Sequence, residues 1–200
     1  MAAARGRPRS FDRDQALARM MQVFWQKGYE GAQLTDLLAA VGITPPSFYA
    51  AFGSKEAAFL EAVDLYIATV ATPPMRALEE AGTIAAAIRG MLEGSITVAL
   101  SSQPGGCFLI LGVVNCQPEN ESARKRLREA RRKTHDLIRA RLLRAIEDGE
   151  LAADTDVERL TAFYHGILQA ISFQARDGAT REQLTALIEP ATAPISTVGF

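Results

Sequence analysis

Cysteine is nearly absent. The 200 residues contain only Cys107 and Cys116, too few for a disulfide framework. Histidine is as scarce: His135 and His165 fall on different predicted helices, without the spacing of metal ligands. No cofactor or metal is therefore expected. No apolar run reaches the ~18 residues that suggest a membrane span, so no membrane association is expected. The opening "MAAARGRPRSFD" lacks the apolar centre of a secretion signal. These absences predict a soluble, cytoplasmic protein. Strand-type alternation and internal repeats are also missing.

What remains is helical patterning in a chain with 48% hydrophobic residues, enough for a sizeable core. Asp12 with Gln15 reads as a capping box, followed by Leu17, Met20 and Phe24 at helical spacing up to Gly28. Short helices follow over Leu34 to Ala40 and over "TPPSFYAAF", broken by Gly42 and Gly53. Ser54 caps a longer helix that Pro73 and Pro74 close. Further helices are predicted from Thr83 to Ser102, Glu119 to Asp148, Thr155 (with Glu158) to Gly178, and Thr180 (with Gln183) to Pro190. The apolar "CFLILGVVNC" lies between them. The expected fold is all-α, with about nine helices. Its divisions are a flexible basic arm (1–10), a three-helix head (11–60), a larger helical domain (61–190) and a loose tail (191–200).

The charge is uneven. Residues 1–60 hold seven Lys or Arg against five Asp or Glu, while the whole chain carries −1. A weakly basic head on an acidic body hints at a polyanion partner for the head. A pair of short helices across a glycine turn is the helix-turn-helix arrangement, whose second helix enters the major groove of DNA. Any small helical domain also contains such a turn, so the pattern alone leaves both readings open. At ~100° per residue, Phe48 and Phe52 share one face of the third helix, with Pro46 and Ala50 opposite. Leu37, Leu38, Val41 and Ile43 would complete a small core beneath the aromatic pair. Lys55 sits at a helix N-terminus, where a cation opposes the macrodipole unless an anion joins it. It is either a phosphate seat or an ordinary solvated lysine. Arg5, Arg7 and Arg9, spaced by glycine and proline, suit a narrow minor groove or form a disordered leader.

Residues 11 to about 63 resemble the DNA-binding domain of TetR-family transcriptional regulators. The likeness is carried by "FWQKGY", "GITPPSFYAAF" and "SKE". It implies a homodimeric repressor on a near-palindromic, double-stranded DNA operator, released by a small molecule. It assigns phosphate contacts to Tyr49 and Lys55, and the groove to Thr44, Pro45, Pro46, Ser47 and Ala50. The sequence departs from the common pattern at Pro45, where a polar or basic residue is frequent. It departs again at Ala32 and Gln33, where Ser or Thr often caps the second helix. The likeness also implies a cavity among the middle helices, with Met91, Ile96, Phe108, Leu111, Val114, Asn115 and His135 as candidate walls. Ordinary core packing is the competing role for each apolar one. Phe163, Ile167, Ile171, Leu184, Leu187 and Ile188 form stripes that are either monomer core or a seam. The resemblance favours a symmetric dimer seam.

Other readings keep a place. Cys107 could sense oxidants or electrophiles, provided it is exposed beside a cation. An enzyme would need a catalytic set, and Cys107 with His135 is the only nucleophile–base pair available, with nothing to orient it. The ten Lys and Arg side chains between Arg124 and Arg144 read as a solvated face or a second nucleic-acid surface.

Overall fold

A computed structural model describes residues 11–113, 117 and 120–196; the arm with Arg5, Arg7 and Arg9, and the positions Val114, Asn115 and Cys116, lie outside it. Among the described residues the fold is all-α, as expected, with no strand. The head comprises α1 (Arg13–Gly31), α2 (Leu34–Val41) and α3 (Pro45–Phe52), and α4 (Lys55–Tyr66) leads out of it. The body holds α5 (Thr72–Glu80), α6 (Ile84–Ala99), α7 (Phe108–Leu111), α8 (Glu121–Glu147), α9 (Val157–Arg176), α10 (Arg181–Thr185) and α11 (Ile188–Ser196).

Local signals set most helix starts. The Asp12 carboxylate accepts from the amides of Asp14 and Gln15, and the Ser54 hydroxyl from that of Ala57. Thr180 and Gln183 form the expected reciprocal box. For α9 the cap is Asp156, which accepts from the Arg159 amide, rather than Thr155. Pro73 and Pro74 do not close the fourth helix. A π-helical turn, Ile67–Ala71, follows α4, and the prolines occupy the first turn of α5, where a missing amide is harmless. The same physics corrects the tail. Pro190 lies in the first turn of α11, and the helix runs on to Ser196 with Ala191, Thr192 and Ile195 buried. Residues 191–195 are thus docked rather than loose.

Two cores hold the molecule. The first joins the head to the body: Phe24, Tyr29, Phe48, Phe52, Phe59 and Tyr66 share it with Phe108 of α7 and Leu127 of α8. The second is built from α6, α8, α9 and α11 around Ile88, Leu92, Ile138, Tyr164 and Ile188. Helix α4 contributes to the head and to the body's packing alike, so the head has no hinge of loose chain near residue 60.

Gly28 is one point where head and body meet closely. Its φ of 70° breaks α1, and a Cβ there would lie 3.1 Å from the Gly112 carbonyl. That carbonyl accepts from the Tyr29 amide at 2.7 Å. Only glycine supplies both this conformation and the space.

Candidate functional site

The head presents the surface that the sequence predicts. Phe48 and Phe52 are buried, with Leu37 beneath them and Leu38, Val41 and Ile43 at the edge. Thr44, Pro45, Pro46 and Ala50 are exposed, Ser47 is half-buried, and Tyr49 is 52% exposed. Helix α3 begins at Pro45, so both prolines lie in its first turn. Thr44 holds the N-cap position, but its side chain accepts from no amide of the first turn. Instead its hydroxyl meets the Ser47 hydroxyl at 3.1 Å, and its carbonyl accepts from Phe48. The outer face therefore carries two small hydroxyls, a phenol and no fork-shaped donor. Bidentate base reading, worth ~1–3 kcal/mol per contact, has no side chain to perform it there.

Lys55 is more than a solvated lysine. Its ammonium lies 4.5 Å from the Tyr29 ring centroid, a cation–π contact that holds it at the start of α4. Partial burial pulls its pKa down, while the Glu30 carboxylate opposes the shift. Glu30 in turn accepts from the Gln117 amide and the Asn120 side chain, which hold its own pKa low. The second helix lacks a Ser or Thr cap but gains Asp36, which accepts from the Gln33 amide and pairs with Lys27 at 2.7 Å. Arg13 had no role in the sequence reading. Both of its close contacts to the Glu61 carboxylate are 2.7 Å, its guanidinium covers the Phe52 ring, and it donates to the Ala51 carbonyl. This clamp fixes α3 against α1 and α4.

Behind the head lies a chamber of about 70 Å³, several times the ~10–15 Å³ that a single water needs. Its walls include Tyr66, Met75, Val98, Cys107, Leu109, Ile110, Arg131, Thr134, His165, Leu168, Ile171 and Ser172. The expected wall was different. Met91, Ile96 and Phe108 are fully buried core residues, and Leu111 is buried in α7; none of the four lines the chamber. Helical spacing marks an inward face but not which inward face leaves a gap. His135 stays outside and half-exposed, its ring edge-on to that of His165 at 5.6 Å. Burial, then the neighbouring His135, lowers the pKa of His165.

Wall and head are joined through α7. The Trp25 indole donates to the Gly106 carbonyl at 2.6 Å and stands edge-on to Tyr66, 4.9 Å between centroids. Arg176 of α9 donates to the carbonyls of Trp25 and Gln26. Trp25 stood out in the sequence only as part of "FWQKGY" and Tyr66 not at all, because the role of each comes from a partner far along the chain.

Cys107 belongs to this wall. Tyr66 donates to its sulfur at 3.3 Å, and its amide donates to the Ser172 hydroxyl at 2.6 Å. Burial pushes the thiol pKa up, the opposite of the low-pKa thiolate that a sensor needs. Its side-chain partner is Tyr66, not His135. Half of the ten basic residues of α8 are paired: Arg124 and Arg128 meet Glu121, Arg126 meets Asp64, Arg139 meets Glu158, and Arg141 meets Glu150. Lys125, Arg132, Lys133 and Arg144 are exposed, so the face is solvated and partly paired.

The candidate dimer stripe divides. Ile171 lines the chamber, and Leu184 and Ile188 lie in the second core, so these three serve the monomer. Phe163 is 40% exposed and Ile167 half-buried; with exposed Gly166, half-buried Ala170 and Phe173, 46% exposed, they form one outer face of α9. Leu187 is half-buried against the second core. Among the described residues no helix is long and apolar enough to cross a membrane, and no cluster of three or more His, Cys, Asp or Glu could hold a metal ion.

Comparison with known proteins agrees with this arrangement. Residues 17–62 match the model of bacterial regulatory proteins of the tetR family, and residues 80–190 match that of the tetracyclin repressor-like C-terminal domain. The HTH-type transcriptional repressor ComR of Escherichia coli (strain K12) is 33% identical over 183 residues, 90% of this chain and 87% of that protein. The HTH-type transcriptional repressor BdcR of the same organism is 27% identical over 195 residues, covering 96% of this chain and 93% of that protein. A solved structure of a cysteine mutant of the TetR family regulator CifR, complexed with 26bp double-strand operator DNA, matches with a TM-score of 0.89. Its identity to this chain is 42%, over 94% of this chain and 98% of that one. The chain belongs to the TetR family of transcriptional regulators.

Proposed function

We propose that this TetR-family regulator is a dimeric repressor that binds a near-palindromic operator and releases it when a small molecule fills the chamber. The observation that carries the reading is a mechanical one. The exposed face of α3 and the tethered Lys55 sit on a head whose α1 and α4 are bonded to chamber-wall elements through Trp25, Tyr66 and Gly106. A ligand that displaces Tyr66 or α7 changes the seat of α1, and with it the spacing of two recognition helices in a dimer. Half-site spacing is a geometric requirement of such binding, so a small shift is enough.

In this reading Tyr49 and Lys55 hold phosphates at the edges of a sparse groove-facing surface of Thr44, Pro45, Pro46, Ser47 and Ala50. Discrimination then rests on thymine methyls, on Ser47 and on groove shape read by Arg5, Arg7 and Arg9. The stripe from Phe163 to Phe173 supplies the isologous seam. A cytoplasmic location follows, since the operator is there. No catalytic role is assigned.

The test is competition binding between the protein's own promoter DNA and random duplex DNA. Preference for the promoter is expected, with affinity falling steeply in salt. Lys55→Ala should weaken all sequences alike and reduce the salt slope by about one per half-site. Equal affinity for promoter and random DNA would refute the reading.

A further inference from the structure

One side chain of the chamber is chemically out of place. Arg131 lies in the wall, half-buried, among Ala71, Val98, Leu109, Ile110, Leu168 and other mainly apolar neighbours. Its guanidinium makes a single hydrogen bond among the described residues, from Nη1 to the Leu109 carbonyl at 2.7 Å. Most other arginines of α8 that make side-chain contacts find a carboxylate; among the described residues none lies within ion-pair range of Arg131. The titratable groups nearest it are Arg128, which repels, the His165 ring and the Cys107 thiol, which burial keeps protonated.

Most of the remaining polar wall groups are already engaged. Tyr66 donates to Cys107, the Ser172 hydroxyl accepts from the Cys107 amide, Thr134 donates to the Ala130 carbonyl, and His165 meets Gln169. A half-buried cation with spare donors beside an apolar chamber can offer them to an anion that enters it. A carboxylate matches the guanidinium fork and gains most where water is excluded. The chamber is also reachable. It shares Ala71, Met75, Leu109 and Thr134 with a surface cleft between α5 and α8, so these residues form its mouth.

We propose that the effector is an apolar carboxylic acid, its carboxylate paired with Arg131 and its body filling the chamber behind α7. This deepens the ligand-responsive reading and rests on it. Matched acids and neutral amides separate charge from shape: octanoate against octanamide, and 4-phenylbutyrate against its amide. The only tryptophan, Trp25, abuts the wall residue Tyr66, so its fluorescence reports filling of the chamber. At neutral pH each acid should bind ~10-fold or more tightly than its amide. Arg131→Gln should remove that preference while keeping amide binding, which also shows that the variant is folded. Arg131→Lys should retain part of it. Equal affinities, no binding of either acid, or an undiminished preference in Arg131→Gln would overturn the assignment. None of these readouts involves DNA. An acid that binds through Arg131 without weakening operator binding would instead refute release by ligand and leave the anion site standing.

Discussion

Phe163→Glu should give a folded monomer whose operator affinity is at least about 100-fold weaker, moving from the range of specific complexes toward that of non-specific ones. Phe163 is 40% exposed, and with Phe173 and Ile167 it makes an apolar stripe on the outer face of α9. In a two-fold interface each substitution enters twice, so the change would desolvate two carboxylates against each other's apolar surroundings. The isolated chain loses little, because an exposed position carries few intramolecular contacts; its stability should stay within ~0.5 kcal/mol. Sedimentation checks the mass and a DNA titration checks the affinity. A Phe163→Glu protein that remains dimeric and binds operator as before would place the seam elsewhere.

The second large effect concerns stability. Arg141 is 4% exposed, and its Nη2 pairs with Glu150 at 3.0 Å. The other oxygen of Glu150 accepts from the Ile84 amide at the start of α6. One carboxylate thus ties α8 to α6 and supplies the buried guanidinium with its counter-charge. Among the described residues, Nε and Nη1 of Arg141 have no partner, so nothing else offsets the loss. Glu150→Ala should cost about 3–5 kcal/mol. For a chain of this size that lowers Tm by roughly 10 °C. Replacing both partners, Arg141→Met with Glu150→Gln, should recover most of the loss, since the buried charge is removed as well. Thermal and urea unfolding of the three variants decide the matter. A single-mutant cost under about 1 kcal/mol would show that Arg141 is solvated and the pair incidental.

The same contrast between local and long-range causes explains what could be read from the sequence. Asp12, Ser54 and Thr180 announce helix starts because a cap is satisfied within three residues. The recognition surface was legible for a similar reason: Phe48 and Phe52 fix one face of a short helix and thereby expose Pro46 and Ala50. Prolines misled where position inside the helix mattered. Pro73, Pro74 and Pro190 begin helices, although in the sequence they resemble stops.

The chamber was hidden because its wall is assembled by packing between distant segments. Met91 and Phe108 have the spacing of wall residues, yet they face filled core, while Tyr66 and Ser172 lie 106 positions apart in the chain and share the wall. Arg131 was concealed differently. It is one of ten basic residues in a single helical stretch, and only the structure shows that it lines the chamber. Leu184 and Ile188 repeat the lesson at the dimer stripe: spacing alone does not say whether an apolar face meets its own chain or a second copy.

The central claim is that two copies of this head read a two-fold DNA site. Selection of bound sequences from random duplex DNA by the full chain tests it most directly. The expected result is enrichment of a near-palindrome, its half-sites set by the separation of two α3 helices, with conserved shape or thymine positions rather than strings of guanine contacts. Recovery of unenriched sequence, or of a single unrepeated half-site bound by a monomer, would contradict it.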